Sequence, residues 1–176
     1  MINRFKIQDL GFKNGMLFLI LTTYFLLPTS IFASTVYFSP ASVAVQPGQV
    51  VTLTVIVDPQ GSSTYTAKVG VSFSANLLSV SSFSQASGWL PLTQPGYDSI
   101  DNSSGSLVKT AGYAGGLSSP QAFGIISFVA KASGVATISV SGATQVLNSS
   151  SQNTFTSGGQ STINISAPAP VQTPVS

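Results

Sequence analysis

"VVTLTVIV", residues 50–57, alternates apolar and β-branched residues with threonine at a period of 2. That is the pattern of a strand and not of a helix. Gln46-Pro47-Gly48 precedes it and Asp58-Pro59-Gln60-Gly61 follows it, so turn chemistry closes both ends. The same grammar repeats along the chain. "AKVGVSF" (67–73) sets Val69, Val71 and Phe73 on one face, and "SLVKTAGYA" (106–114) reads as a more polar strand. "FGIISFVAK" (123–131) is apolar at successive positions and predicts a central strand buried on both faces. "VATISVSG" (135–142) groups Ala136, Ile138 and Val140, and "STINI" (161–165) closes the series. Val36–Phe38 and Val43–Val45 read as one first strand split at Ser39-Pro40. No segment carries a sustained helical stripe. Many short strands with Gly and Pro turns between them predict an all-β fold, a two-sheet β-sandwich.

Composition narrows the function. Charged residues make up 6% of the 176, against about 25% in ordinary soluble chains. Cys and His are absent, and so is Glu. Without Cys, stability must come from a packed core, which a domain of about 130 residues is large enough to build. Without His or Cys, the usual ligands of zinc, copper and haem are missing. The formal charge of +2 belongs to the N-terminus: Arg4, Lys6 and Lys13 stand there against Asp9 alone. The remainder balances Lys68, Lys109 and Lys131 against Asp58, Asp98 and Asp101. Three scattered lysines give no basic stripe, which excludes nucleic acid as a partner.

The two ends differ from the middle. A charged segment, the apolar run Met16–Leu27 and the small residues before Ser34 have the order of a secretory signal peptide, residues 1–33, cleaved after Ala33. The apolar run is expected to be helical. Uncleaved, it would be an N-terminal anchor and the chain's sole link to a membrane. Either way the remainder is expected outside the cytoplasm, secreted or attached to the cell surface. Residues 167–176, "APAPVQTPVS", are a Pro-rich linker or tail.

The order of these motifs resembles a cohesin domain. "VQPGQVVTLTVIV" resembles the entry of that domain, where a Pro-Gly turn precedes a long valine-threonine strand. Phe73-Ser74-Ala75-Asn76-Leu77-Leu78-Ser79-Val80 stands where cohesins carry a Tyr-Asp-Pro-Asn-Leu-Leu segment. "GIISFVAKASGVATISVSG" and "TSGGQSTINIS" resemble the later strands. The likeness spans residues 35–166. It implies a jelly-roll sandwich of about nine strands, non-catalytic, binding a dockerin-like or other surface protein in a surface or polysaccharide-processing assembly. Ser74 and Ala75 replace the Asp and Pro of that segment, so no individual partner-contacting residue is transferred. The turn at Asn76 is expected to draw on that residue's tolerance of left-handed backbone and on its side-chain bonding, with Leu77, Leu78 and Val80 plugging the edge of the sandwich.

Few side chains offer chemistry. Asp98 and Asp101 are the one close pair of carboxylates; with Asn102 they make a candidate calcium site, since calcium takes six to eight oxygens. As a glycosidase pair they would need a group that raises one pKa, and none is near in sequence. A serine nucleophile would need Lys68, Lys109 or Lys131 as its base, and no motif joins them. The chain is therefore expected not to be an enzyme and to need no cofactor. Trp89, Tyr97 and Tyr113 are the candidate stacking groups for a polysaccharide, with core packing the competing role of Trp89. The alternative to protein docking is thus a carbohydrate-binding module, or a structural spacer or adhesin domain. Asn102-Ser103-Ser104, Asn148-Ser149-Ser150 and Asn164-Ile165-Ser166 fit the N-glycosylation pattern, which a serine-rich chain also produces by chance.

Overall fold

The computed structural model describes residues 33–167. The expected signal helix and nearly all of the Pro-rich tail lie outside them. Thirteen strands are formed: β1 (Ser34–Ser39), β2 (Ser42–Val45), β3 (Val50–Asp58), β4 (Thr64–Phe73), β5 (Leu78–Gln85), β6 (Trp89–Pro91), β7 (Ser99–Asp101), β8 (Ser106–Leu117), β9 (Gln121–Ala130), β10 (Gly134–Val140), β11 (Gln145–Leu147), β12 (Phe155–Gly158) and β13 (Gln160–Ile165). There is no helix among the described residues. One sheet has five strands in the order β12-β1-β3-β9-β5. The other has eight: β2-β13-β10-β4-β8-β6, with β11 on β4 and β7 on β8.

The alternation in β3 decides its faces. Val51, Leu53, Val55 and Val57 are buried, while Val50 and Thr52 are exposed. Facing them across the sandwich are Ala67, Val69, Val71 and Phe73 of β4. Each such aliphatic side chain contributes about 1.5–3 kcal/mol through burial. β9 departs from the expectation of two buried faces. Ile126, Phe128 and Ala130 point in, but Ile125 is 42% exposed. A register shift between Val55 and Ile56 leaves Phe123 as the extra residue of β9, and this bulge turns Phe123 inward against the parity of Ile126.

The split first strand changes sheets. β1 pairs with β3 in one sheet and β2 with β13 in the other. The end of the domain does the same: β12 runs parallel to β1, and β13 runs parallel to β2. The crossings meet where the Gly159 N–H donates to Val36 O (2.7 Å) and Ser161 Oγ donates to Pro40 O (2.9 Å). First and last strands therefore close one side of the sandwich together. The Asn-Leu-Leu segment is a turn in which Ser74 O accepts the N–H of Leu77 and of Leu78, and it delivers Leu78 and Val80 to the core. Asn76 does not use left-handed backbone there; the non-glycine residues that do, among those described, are Gln60 and Ser151.

Candidate functional site

One open side of the sandwich, where β5 of the five-stranded sheet faces β6, β7 and β8, gathers most of the chemistry. Trp89 opens β6 and points inward, 4% exposed. Its ring meets Phe123 of the opposite sheet edge-on (4.9 Å between centroids) and Tyr113 of its own sheet (5.1 Å). Its Nε1–H donates to Ala122 O (2.9 Å). The indole is thus an inter-sheet bolt with its polar end satisfied, and it has no free face for a sugar. Tyr113 is half-buried behind it, and Tyr97 alone of the three candidates is clearly exposed, at 44%. Tyr97 lies in the segment between β6 and β7, with the Lys68 ammonium 5.4 Å from its ring centre.

Beside the aromatics stands a lysine on the inner side of a sheet. Alternation along β8 gives Leu107, Lys109 and Ala111 the same side, opposite Val71, Val69 and Ala67 of β4. Lys109 is near the edge, so its stem packs inside while its ammonium reaches out. It forms an ion pair with Asp98 and lies 5.3 Å from the Phe83 ring centre. Among the described residues, the carboxylate neutralises the one cation turned between the sheets. The alternation was legible in "SLVKTAGYA"; the sequence alone gave Lys109 no partner, because Asp98 comes from another strand's approach.

Asp101 and Asn102 turn away from Asp98. Asp101 Oδ1 accepts the N–H of Ser103 (2.8 Å) and of Ser104 (3.1 Å), and Oδ2 accepts the Ser104 hydroxyl (2.8 Å). These bonds, that of the Ser104 hydroxyl foremost, hold its carboxyl below the ordinary Asp range. Asn102 bonds through both ends of its amide to the backbone of Val80. The three residues expected to share a cation thus have three separate partners: Lys109, a local turn and strand β5. Among the described residues, no group of three or more His, Cys, Asp or Glu side chains is placed to hold a metal ion.

The outer faces of the sheets differ. On the five-stranded sheet, register places Tyr37 beside Ile56, Thr54 between Ser39 and Ile125, Thr52 beside Ser127, and Val50 beside Val129. No charged side chain stands in these rows. On the eight-stranded sheet, Ser72 lies between Ser106 and Ser139, with Asp101 beside Ser106. Lys68 stands beside Thr110 and Gln145, while Leu90 and Val135 are 65% and 64% exposed. The mixture of charge, hydroxyl and apolar groups is on this second face. Sequence reasoning missed both surfaces, since exposure depends on which flank of each strand the core takes.

No family model matches the chain, and no curated protein does. Solved structures do match. The third cohesin of ScaC from Acetivibrio cellulolyticus, in complex with the ScaB dockerin, superposes with a TM-score of 0.59 at 18% identity, over 76% of this chain and 99% of that one. The CaCohA2 module of Clostridium acetobutylicum gives 0.59 at 16% identity, over 77% and 94%. A non-cellulosomal cohesin from the archaeon Archaeoglobus fulgidus gives 0.58 at 13% identity, over 77% and 92%. The chain therefore has the cohesin fold, as the order of its motifs implied.

Proposed function

We propose that this cohesin-fold domain is a non-catalytic docking module that works outside the cytoplasm and binds a dockerin-like partner protein. The observation that carries the reading is the likeness of fold to modules solved with a dockerin in place. The outer face of the eight-stranded sheet is the proposed docking surface. Lys68, Asp101, Tyr97, Leu90 and Val135 give it enough chemical variety to discriminate between partners. Its low charge predicts a complex held by hydrogen bonds and apolar contacts, with weak dependence on salt. Calorimetric titration of the purified domain with a panel of isolated dockerin modules tests this. Saturable binding that Lys68→Glu or Leu90→Asp weakens supports it; failure of every module to bind sinks it.

A second reading follows from the exposure of Tyr97, whose ring is free to stack on a sugar beside hydroxyl-rich strands. Retention on an insoluble polysaccharide, lost in Tyr97→Ala, would favour a carbohydrate-binding module instead. A chain that binds neither class of ligand would serve as a spacer.

A further inference from the structure

The outer face of the five-stranded sheet is left without a role by the docking reading, and its pattern is unusual. Four rows cross the strands. The first holds Tyr37, Ile56 and Ala122; the second Ser39, Thr54, Ile125 and Ser84; the third Thr52, Ser127 and Ser82; the fourth Val50, Val129 and Ser79. Apolar groups thus gather at both ends of the rows, with hydroxyls between them. Tyr37, Ile125 and Val50 are 37%, 42% and 61% exposed. Charges stand one step beyond each end: Asp58, paired with Thr35, past the first row, and Lys131, whose ammonium donates to Ala75 O, past the fourth.

We propose that this face joins two copies of the chain about a two-fold axis that lies in the interface and runs across the strands through the hydroxyl band. Rotation about that axis exchanges the first row with the fourth while each strand keeps its place across the sheet. Ile56 then comes over Val50 of the second copy, and Ala122 over its Val129. Thr54 and Ile125 come over its Thr52 and Ser127. Apolar ends meet apolar ends, and in the middle rows hydroxyls meet hydroxyls except where Ile125 lies over Ser127. An isologous contact needs this self-complementarity. Stacked sheets sit about 10 Å apart, close enough for such side chains to interdigitate. β3 and β9 cross all four rows, β5 three and β1 only two, so strands about 4.8 Å apart present roughly 400 Å² per copy, the size of a weak, transient contact. A charged partner would find no counter-charge in these rows, and a sugar would find one exposed ring, Tyr37. A second copy fits the neutral face, and the eight-stranded sheet stays free for docking.

Sedimentation equilibrium of the purified chain from micromolar to millimolar concentration tests the inference. The expected result is a reversible dimer whose dissociation is unchanged between low and high salt. Ile125→Lys, which brings a charge into the contact, is expected to raise the dimer dissociation constant by at least about tenfold. Tyr37→Ser is expected to weaken it as well. Val135→Lys, on the other sheet, is expected to leave it unchanged, and equal thermal midpoints for the three variants show that each is folded. A chain that stays monomeric throughout overturns the proposal. So does a dimer that high salt dissociates, or one that Val135→Lys disrupts and Ile125→Lys does not.

Discussion

Asn102 gives both halves of its side-chain amide to one residue, Val80: Oδ1 accepts the Val80 N–H at 2.7 Å, and Nδ2 donates to the Val80 carbonyl at 3.0 Å. Val80 lies on β5, the strand at one edge of the five-stranded sheet. An edge strand leaves alternate backbone groups without a partner, and a single side chain here stands in for the missing strand. The loop after β7 is thereby tied to the opposite sheet.

Asn102→Ala should therefore destabilise the fold by about 1–3 kcal/mol, the usual cost of leaving polar groups unpaired in a partly buried place. Asn102→Asp keeps the acceptor and loses the donor, so its loss should be smaller at low pH, where a protonated carboxyl donates again. Urea unfolding of the variants measures both. A variant as stable as the wild type would show that water replaces the amide at no cost.

Trp89→Ala should cost about 3–5 kcal/mol, the range for emptying a buried aromatic site. Trp89→Phe refills most of the volume but leaves Ala122 O without its donor, and about 1–2 kcal/mol is expected. Thermal unfolding followed by far-ultraviolet dichroism reports the order. Full stability of Trp89→Ala would contradict the place of the indole between the sheets.

The Lys109–Asp98 pair should show strong coupling. Their side chains are 13% and 25% exposed, so neither charge is fully hydrated once the other is removed. Asp98→Ala alone leaves the ammonium near Phe83 without its counter-ion and should cost more than the double change Asp98→Ala with Lys109→Met. A double-mutant cycle isolates the interaction. Additive losses would mean that the two charges do not sense each other.

Asp101 sets a pH dependence of known direction. Its carboxyl is held below the ordinary Asp range by the Ser104 hydroxyl and the N–H groups of Ser104 and Ser103. A depressed pKa adds stability that is complete above the unfolded value and disappears as pH falls through the folded one. The wild type should therefore exceed Asp101→Asn in stability at neutral pH, by a small margin because the group is exposed. The gap should close in acid, below the folded pKa. Unfolding midpoints measured from neutral to strongly acid pH would refute the bond pattern if the gap stayed constant.

Much of this architecture was legible beforehand. β3, β4, β10 and β13 were readable from apolar residues at period 2, β8 as a more polar strand, and β9 from a continuous apolar run that suggested two buried faces where the chain buries one. The short strands β6, β7, β11 and β12 were not, because three or four residues cannot display a period. They exist because a neighbouring strand offers them free backbone groups, as β8 does for both Trp89–Pro91 and Ser99–Asp101. The three calcium candidates were grouped by proximity in sequence, and the chain separates them: Asp98 turns to Lys109, while Asn102 turns to a strand of the other sheet.

By itself, the sequence determined an all-β domain with an aliphatic interior, nearly neutral, and without Cys, His or Glu side chains. Those properties depend on side-chain type and local period, which every residue carries wherever it ends up. Only the tertiary structure decided that Trp89 is enclosed, that Lys109 faces inward to Asp98, and that one outer face is neutral while the other is mixed. Each of these depends on contacts between segments far apart in the chain, and the spacing of residues along one strand does not encode which strand will lie opposite.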